Sequence, residues 1–287
     1  PQDQLGGKNM WTSVNDYKQF ANTFYSWTRD FSSVVYDGTH SDKRSDLITY
    51  QSYNEFSRGI NSIPSSDANY TDNYKHIRRT NLLIENAETY SKPEDIKQYL
   101  GEAYFFRAYS YFDLLQLYGD VIITKKPLDI TDPEMKVKRN DRSEVVDLII
   151  DDLGHAIANL PAFKELSTEE EGRISKEGAQ AFLSRVALYE GTWQKSRNNN
   201  QNTERTKNLL DIAAKAARTV MDAKYGYSFR LFGTDSETKV LGDSAQKYMF
   251  ILENEKSNPA GIKKSANHEY IFARRHAQIL ASIGKNI

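Results

Sequence analysis

The segment Gly101–Val121, GEAYFFRAYSYFDLLQLYGDV, constrains the fold of this chain more than any other stretch. Its apolar residues recur at helical spacing over a broad face, and the small residues Ala103 and Ala108 stand between large rings. A helix that is apolar around so much of its circumference is typical of a position buried between other helices. The segment nevertheless carries charges, among them Glu102 and Arg107. Because buried charges need partners, we expect both to pair with polar groups of neighbouring helices and loops.

More amphipathic helices are predicted on both sides of this segment, because apolar residues recur there at spacings of three and four. Ser91–Glu94 reads S-x-x-E and predicts the start of the aromatic helix, which Gly119 is expected to end. Asp141 and Glu144 form a second capping box, D-x-x-E, before the next helix. The predicted helices cover about 10–29, 72–90, 95–119, 142–160, 176–193 and 206–225.

Pairs of these helices show a pattern typical of tetratricopeptide repeats. The second helix of a pair places alanines among aromatics and ends in an aromatic residue close to Gly. The loops at 119–140 and 161–174 make the repeat period irregular, and the regular helical pattern ends after Tyr227. We therefore predict a mostly all-α chain, a tetratricopeptide-like helical-repeat superhelix with long irregular loop insertions. The length of 287 residues allows one large domain or two ordinary ones.

Composition and charge exclude several classes of protein. The net charge of −1, with no concentrated basic face, argues against nucleic-acid binding. The chain has no cysteine, so disulfides, thiol nucleophiles and zinc–cysteine sites are excluded. No run of about 18 apolar residues predicts a transmembrane helix. The first residues lack a signal-peptide pattern, so the protein is either cytoplasmic or has already lost a targeting segment.

No catalytic or metal-binding motif is present in the sequence. The five histidines lack H-x-x-x-H spacing, and there is no G-x-S-x-G elbow, P-loop or G-x-G-x-x-G fingerprint. Asp151–Asp152 and Glu169–Glu171 are interpreted as solvated charge rather than as acid/base pairs. We predict that the protein is not an enzyme and needs no metal or cofactor.

Several linked motifs, in order along the chain, resemble the SusD/RagB family of outer-membrane, glycan-binding lipoproteins. The resemblance covers roughly residues 10–285. One residue departs from the family pattern: Ile122 stands where the family usually has Pro. The motifs are YKHIRRTNLLIENA at Tyr74–Ala87, the aromatic segment extended to Ile123, Arg142–Pro161, Arg173–Gly191, and HEYIFARR at His268–Arg275.

This resemblance implies non-catalytic binding of oligosaccharides at the bacterial outer-membrane surface and their delivery to a SusC-like TonB-dependent transporter. It implies a surface-exposed protein anchored by lipid through an N-terminal cysteine that is absent from this chain. Family members are usually much longer. The residues 1–287 are therefore expected to form a single, N-terminal SusD-like domain, with a helical-repeat core at about 70–225 and an irregular region at 226–287.

The resemblance also indicates a ligand site. The family commonly has an aromatic residue four positions before the equivalent of Tyr74, which is Tyr70 here. Sugar sites stack rings on aromatic side chains and bind hydroxyls with a few polar groups, so Asp67, Asn69 and Asn73 are expected to assist Tyr70. We place Tyr70 on a loop before the helix; the alternative is that it only packs on the start of the helix. Weaker candidates are Trp27, Tyr36 and Tyr53.

A second function remains open from the sequence, namely a helical-repeat adaptor whose concave face binds a protein or peptide. The high aromatic content, with 18 Tyr, 13 Phe and 3 Trp, and the long polar loop at 31–70 favour glycan binding. A concave groove with few loops would favour the adaptor. A glycoside-cleaving enzyme is disfavoured, because no carboxylate pair stands in a recognisable context.

Overall fold

The computed structural model describes residues 10–28, 59–60, 62–129, 131–197, 203–252 and 256–273. These residues contain short 3₁₀ segments and two isolated β-bridges, but no sheet. The prediction of a mostly α-helical chain is thereby confirmed. The α-helices are α1 (Val14–Asn22), α2 (Ala68–Ala87), α3 (Lys97–Tyr118), α4 (Arg142–Asn159), α5 (Lys176–Arg197), α6 (Glu204–Met221) and α7 (Ala245–Met249).

Consecutive helices from α2 to α6 pack on one another along the chain, as expected for a stack of helical repeats. The aromatic helix α3 lies at the centre of the main apolar core, with α2 and α4 as its principal neighbours. Gly119 ends α3 with a φ of 73°, a conformation that L-residues with a side chain avoid, so its predicted role as a helix stop is confirmed. The fully buried residues of α3 include Ala103, Phe106, Ala108, Tyr111, Leu114 and Leu115.

The helix starts show which capping predictions were correct. The predicted box at Asp141 is confirmed, since its backbone N–H donates to the Glu144 carboxylate at 3.0 Å. The predicted box at Ser91–Glu94 is wrong, because Pro93–Ile96 form a separate 3₁₀ turn and α3 starts only at Lys97. Proline favours the first turn of a helix, so the turn begins at Pro93 rather than under a serine cap.

Other predicted helix limits also changed. The first predicted helix, 10–29, is in fact α1 followed by the 3₁₀ segment Thr23–Trp27. Ser13 caps α1 in a box with Asp16 that the sequence analysis did not identify; the Ser13 N–H donates to the Asp16 carboxylate at 2.8 Å. Such a box fixes the start of a helix by satisfying its free N–H groups.

Arg107, in the middle of α3, is held by buried partners on two other helices. Its Nε and Nη2 atoms donate to the two Asp152 carboxylate oxygens at 2.8 and 2.6 Å, and its Nη1 donates to Asn81 Oδ1 at 2.8 Å. Arg107 is 4% exposed and Asp152 is 0% exposed. Burial raises the pKa of the Asp152 carboxyl, and the guanidinium opposes this shift. The predicted pairing of Arg107 is confirmed, whereas the prediction that Asp152 is solvated is wrong because it faces α3.

Asn81 and Tyr111 extend this network to the chain that follows α3. Asn81 Nδ2 donates to the carbonyl oxygens of Thr124 and Lys126 at 3.0 and 3.2 Å. The Thr124 N–H donates to the Tyr111 hydroxyl at 2.7 Å. Backbone groups outside regular structure need partners when they are covered, and here side chains of α2 and α3 supply them. The irregular segment 121–126 is therefore fixed against the helices.

A second ion-pair network joins α3 to α1 and to the loop before α5. Arg173 Nη1 donates to both oxygens of the fully buried Glu102, at 2.9 and 2.7 Å. Arg173 also contacts Glu170 and Asn22, and Glu170 pairs with Lys18. The predicted pairing of Glu102 is confirmed. The prediction that the glutamate run of this loop is solvated is wrong for Glu170.

The chain after α6 is irregular and carries a small apolar cluster of its own. Phe163, before α5, contacts this part of the chain through Tyr227 and Phe229, at ring-centroid distances of 4.6 and 5.3 Å. The prediction of one domain over 1–287, with a core at 70–225 and an irregular region at 226–287, stays a prediction. The small cluster comprises Phe232, Leu241, Leu252, Ile262 and Ala266.

Two helical glycines provide a matched test of how closely the helices pack. A Cβ atom at Gly101 would lie 3.0 Å from the backbone nitrogen of Leu160, whereas one at Gly154 would meet nothing within 4 Å. We expect Gly101→Ala to lower the free energy of unfolding by about 1–3 kcal/mol through overpacking. Gly154→Ala should raise it by about 0.5–1 kcal/mol, because alanine is the better helix former. Urea unfolding measures both, and two variants of equal stability would contradict the packing described.

The buried Glu102 predicts a pH dependence of stability. Burial raises its pKa from 4.5 to about 7, although Arg173 acts against the shift. The folded state thus binds the proton more tightly than the unfolded state. The stability that proton binding by Glu102 contributes is fully present below pH 4.5 and is lost as the pH rises through about 7. It amounts to about 1.4 kcal/mol for each unit of pKa shift.

Glu102→Gln should therefore flatten the dependence of the unfolding free energy on pH in that window. Glu94→Gln, at an exposed position, is the matched control and should leave the slope as it is. Urea titrations at several pH values measure the slopes. An unchanged slope in Glu102→Gln would show that Glu102 does not titrate in this range.

Candidate functional site

The ends of four helices meet on one side of the structure. Tyr118, at the C-terminus of α3, donates its hydroxyl proton to Asp67, at the N-terminus of α2, at 2.7 Å. Arg142, at the N-terminus of α4, pairs with Glu190 near the C-terminus of α5 at 2.8 Å, and its backbone N–H donates to Asp120 just after α3 at 2.9 Å. We term this side the aromatic end, because five aromatic residues lie there. They are Tyr70, Tyr74, Tyr118, Tyr189 and Trp193.

Asp67 caps α2, and this places Tyr70 differently from the sequence prediction. One Asp67 oxygen accepts from the Asn69 backbone N–H at 2.9 Å and from the Asn69 side chain at 3.0 Å. The other accepts from Tyr118. Because α2 begins at Ala68, Tyr70 lies in the first helical turn, and its predicted position on a loop before the helix is wrong.

The two predicted asparagines differ in exposure. Asn69 is exposed, whereas Asn73 is 7% exposed. The Asn73 side-chain amide donates to the Asn69 carbonyl oxygen at 2.8 Å. All four predicted residues therefore lie together in the first two turns of α2 and its cap, and Asn69 is the amide most open to solvent. Their role in ligand binding stays a prediction.

Tyr70 is half-buried in a cluster of three tyrosines. Its ring lies 4.8 Å from Tyr74 and 5.2 Å from Tyr118, the latter edge-on. Tyr74 donates its hydroxyl proton to the Ile122 carbonyl oxygen at 2.8 Å, which connects the cluster to the fixed segment after α3. Burial raises the pKa of Tyr74, and burial together with the Asp67 carboxylate raises that of Tyr118. The two hydroxyls donate to groups of the protein, and the rings of Tyr74 and Tyr118 pack on Tyr70 and hold it in place.

The weaker candidate Trp27 lies elsewhere and packs against the core. Its ring stacks on His76 at a centroid distance of 4.1 Å and contacts Phe24 at 4.8 Å. Burial lowers the pKa of His76 to about 4, so the imidazole in this stack is neutral near pH 7. The other two weak candidates, Tyr36 and Tyr53, lie outside the described residues.

A second aromatic group at the same end was not identified as a candidate from the sequence. Tyr189 and Trp193 are one helical turn apart on α5, with nearly parallel rings 6.4 Å apart. The spacing of both residues along the helix predicts packing against its neighbours, yet neither is fully buried. One feature of the sequence could have identified them. At the end of this helix the aromatic residues have Thr, Ser and Arg as neighbours instead of the apolar residues that a packed helix end would show. A depression of ≈ 500 Å³ is lined by Tyr189, Thr192, Trp193, Ser196 and Arg197.

The site offers rings, amides, hydroxyls and guanidinium groups, which suit reversible binding of a polar ligand with flat faces. Within the part of the chain that the structure describes, no group of three or more His, Asp or Glu side chains could hold a metal ion. None of the helices described there has the length and apolar character needed to cross a membrane.

Comparison with known proteins gives a consistent set of relatives. Residues 8–188 match the model of a SusD-like family, described as starch-binding and associating with the outer membrane. SusD-like protein P38 of Formosa agariphila is 35% identical over 133 residues, which cover 45% of this chain and 25% of that protein. SusD-like protein P2 of the same organism is 26% identical over 203 residues, which cover 69% and 38%.

Solved structures agree on the fold. A SusD-like protein from Bacteroides fragilis superposes with a TM-score of 0.67 at 23% identity, covering 96% of this chain and 47% of that one. A SusD-like carbohydrate binding protein from the same species gives a TM-score of 0.57 at 19% identity, covering 80% and 44%. The similarity extends over less than half the length of each of these four relatives.

Proposed function

Because the chain belongs to the SusD-like family, we propose that it binds oligosaccharides at the bacterial outer-membrane surface without altering them chemically. The observation that carries this proposal is the family match over residues 8–188. In the same proposal, the bound sugar passes to a SusC-like TonB-dependent transporter. The protein is held at the surface by a lipid on a cysteine outside these 287 residues.

The Tyr70 cluster is the place we propose for the sugar. A ring already held by Tyr74 and Tyr118 loses little freedom when a pyranose stacks on it, so less of the binding energy is spent on ordering the site. Exposed Asn69 supplies an amide for sugar hydroxyls beside Tyr70. Asp67 and Asn73 bind chiefly within the protein and set the position of the first turn of α2.

One observation supports the adaptor as a second candidate. A groove of ≈ 470 Å³ lies between α4 and α6, and its lining combines apolar with charged side chains. Arg205 bridges it, donating to Asp147 at 2.9 Å and to the Ser143 carbonyl oxygen at 3.0 Å. A groove between repeat helices is a common place for a peptide to bind. The lining residues are Asp147, Ile150, Asp151, Arg205, Asn208, Leu209 and Ile212.

Calorimetric titration with a panel of neutral oligosaccharides, starch fragments among them, tests the proposal. We expect at least one to bind and Tyr70→Ala to weaken it about tenfold or more, because truncating a central aromatic contact costs roughly 1–3 kcal/mol. Tyr70→Phe should retain most of the affinity, since the ring remains. Tyr270→Ala is the matched control, as Tyr270 is 46% exposed and lies in another part of the chain.

The outcomes separate the candidates. Binding that is unaffected by Tyr70→Ala would contradict the proposed location while leaving the function in place. No binding of any sugar, together with binding of a peptide that Arg205→Ala weakens, would favour the adaptor.

A further inference from the structure

The depression at the C-terminal end of α5 contains a half-buried tryptophan that is held from within the protein. The Arg142 guanidinium carbon lies 4.5 Å from the centre of the Trp193 ring. Arg142 is itself fixed, because its Nη2 lies 2.8 Å from a carboxylate oxygen of Glu190, which is 0% exposed. Gln194 also donates to Glu190 at 2.7 Å. Trp193 is thus supported by a charge-neutral pair whose carboxylate is fully buried, which makes it a rigid surface for a ligand.

Arg197 differs from Arg142 in its partners. Its guanidinium carbon lies 4.4 Å from the centre of the Trp193 ring, but the side chain is exposed. Among the described residues no carboxylate pairs with it, and none lines the depression. Arg197 is therefore the member of this group that can move off the ring. Once displaced, it brings a positive charge, which no described carboxylate neutralises, to the edge of whatever stacks on Trp193.

The depression lies at the same end of the helices as the Tyr70 cluster. Tyr189 packs edge-on against Phe112 of α3 at 5.4 Å. Arg142 Nη1 donates to the carbonyl oxygen of Leu115, also of α3, at 3.3 Å. One turn later, Tyr118 contacts Tyr70. The last turns of α3 therefore separate two aromatic groups that face the same end of the structure.

We propose that the Trp193 depression is a second saccharide-binding site, and that it takes sugars carrying a carboxylate or a sulfate. The pyranose face stacks on Trp193, Arg197 binds the acidic group by charge-assisted hydrogen bonds, and the Thr192 and Ser196 hydroxyls meet the ring hydroxyls. The choice of saccharide as ligand class rests on the proposed function. The preference for an acidic group rests on the charge of the lining alone.

The test uses glucuronate, galacturonate, mannuronate and glucose 6-sulfate, each beside its neutral parent sugar, in ligand-observed NMR titrations. We expect at least one acidic sugar to bind about tenfold more tightly than its parent, the factor typical of a hydrogen bond to a charged group. Trp193→Ala and Arg197→Gln should each weaken this binding about tenfold. Lys195→Gln is the matched control, because it removes an exposed positive charge two residues away that does not line the depression.

Three results would overturn the inference: no acidic sugar binds, neutral parents bind equally well, or Lys195→Gln weakens binding as much as Arg197→Gln. The last result would indicate general electrostatic attraction. Arg197 is exposed, so its variant tests the site even if Trp193→Ala unfolds, which circular dichroism would reveal.

Tyr70→Ala separates this inference from the proposed function. Acidic-sugar binding that survives Tyr70→Ala and is lost in Arg197→Gln supports a distinct second site. Neutral oligosaccharides bound through Tyr70, with no acidic sugar bound, would overturn the second site alone. A chain that binds neither class would overturn both proposals.

Discussion

The buried guanidinium of Arg107 sets the arrangement of the central helices. Moving a charged pair out of water costs several kcal/mol for each ion, so such a group is stable only when its partners are in place. Asp152 of α4 and Asn81 of α2 provide those partners. Asn81 then holds the carbonyl oxygens of Thr124 and Lys126 through its amide group. One side chain thus determines how three helices and the segment after α3 fit together.

The aromatic end follows from this arrangement. Neighbouring helices run in opposite directions, so the start of α2, the end of α3, the start of α4 and the end of α5 come together. The segment fixed by Asn81 also holds the hydroxyl of Tyr74, which packs on Tyr70. Rings carried on helix ends are positioned by the packed core, and such rigid placement favours recognition of flat ligands. The scaffold and the proposed sugar sites are therefore linked through the same contacts.

Much of this could be predicted from the sequence, because it depends on local spacing. The aromatic pattern of α3, the Gly119 stop and the Asp141 box all act within a few residues. The sequence also indicated that Arg107 needs a partner, but Asp152 lies 45 positions away and no local rule identifies it. The spacing of Trp193 along α5 likewise predicts a packing residue, although its ring is partly exposed. Whether a ring at a helix end meets another helix or solvent depends on how the helices stack, which spacing along one helix does not determine.

A double-mutant cycle on Asn81 and Asp152 tests most directly whether Arg107 couples the helices. Unfolding free energies in urea would be measured for Asn81→Ala, Asp152→Ala and the double variant. The two residues both bind Arg107, through different nitrogen atoms. We therefore predict an interaction energy of about 0.5–3 kcal/mol, the range for residues in one hydrogen-bond network. Effects that add to within roughly 0.3 kcal/mol would contradict a shared network and would indicate two independent contacts.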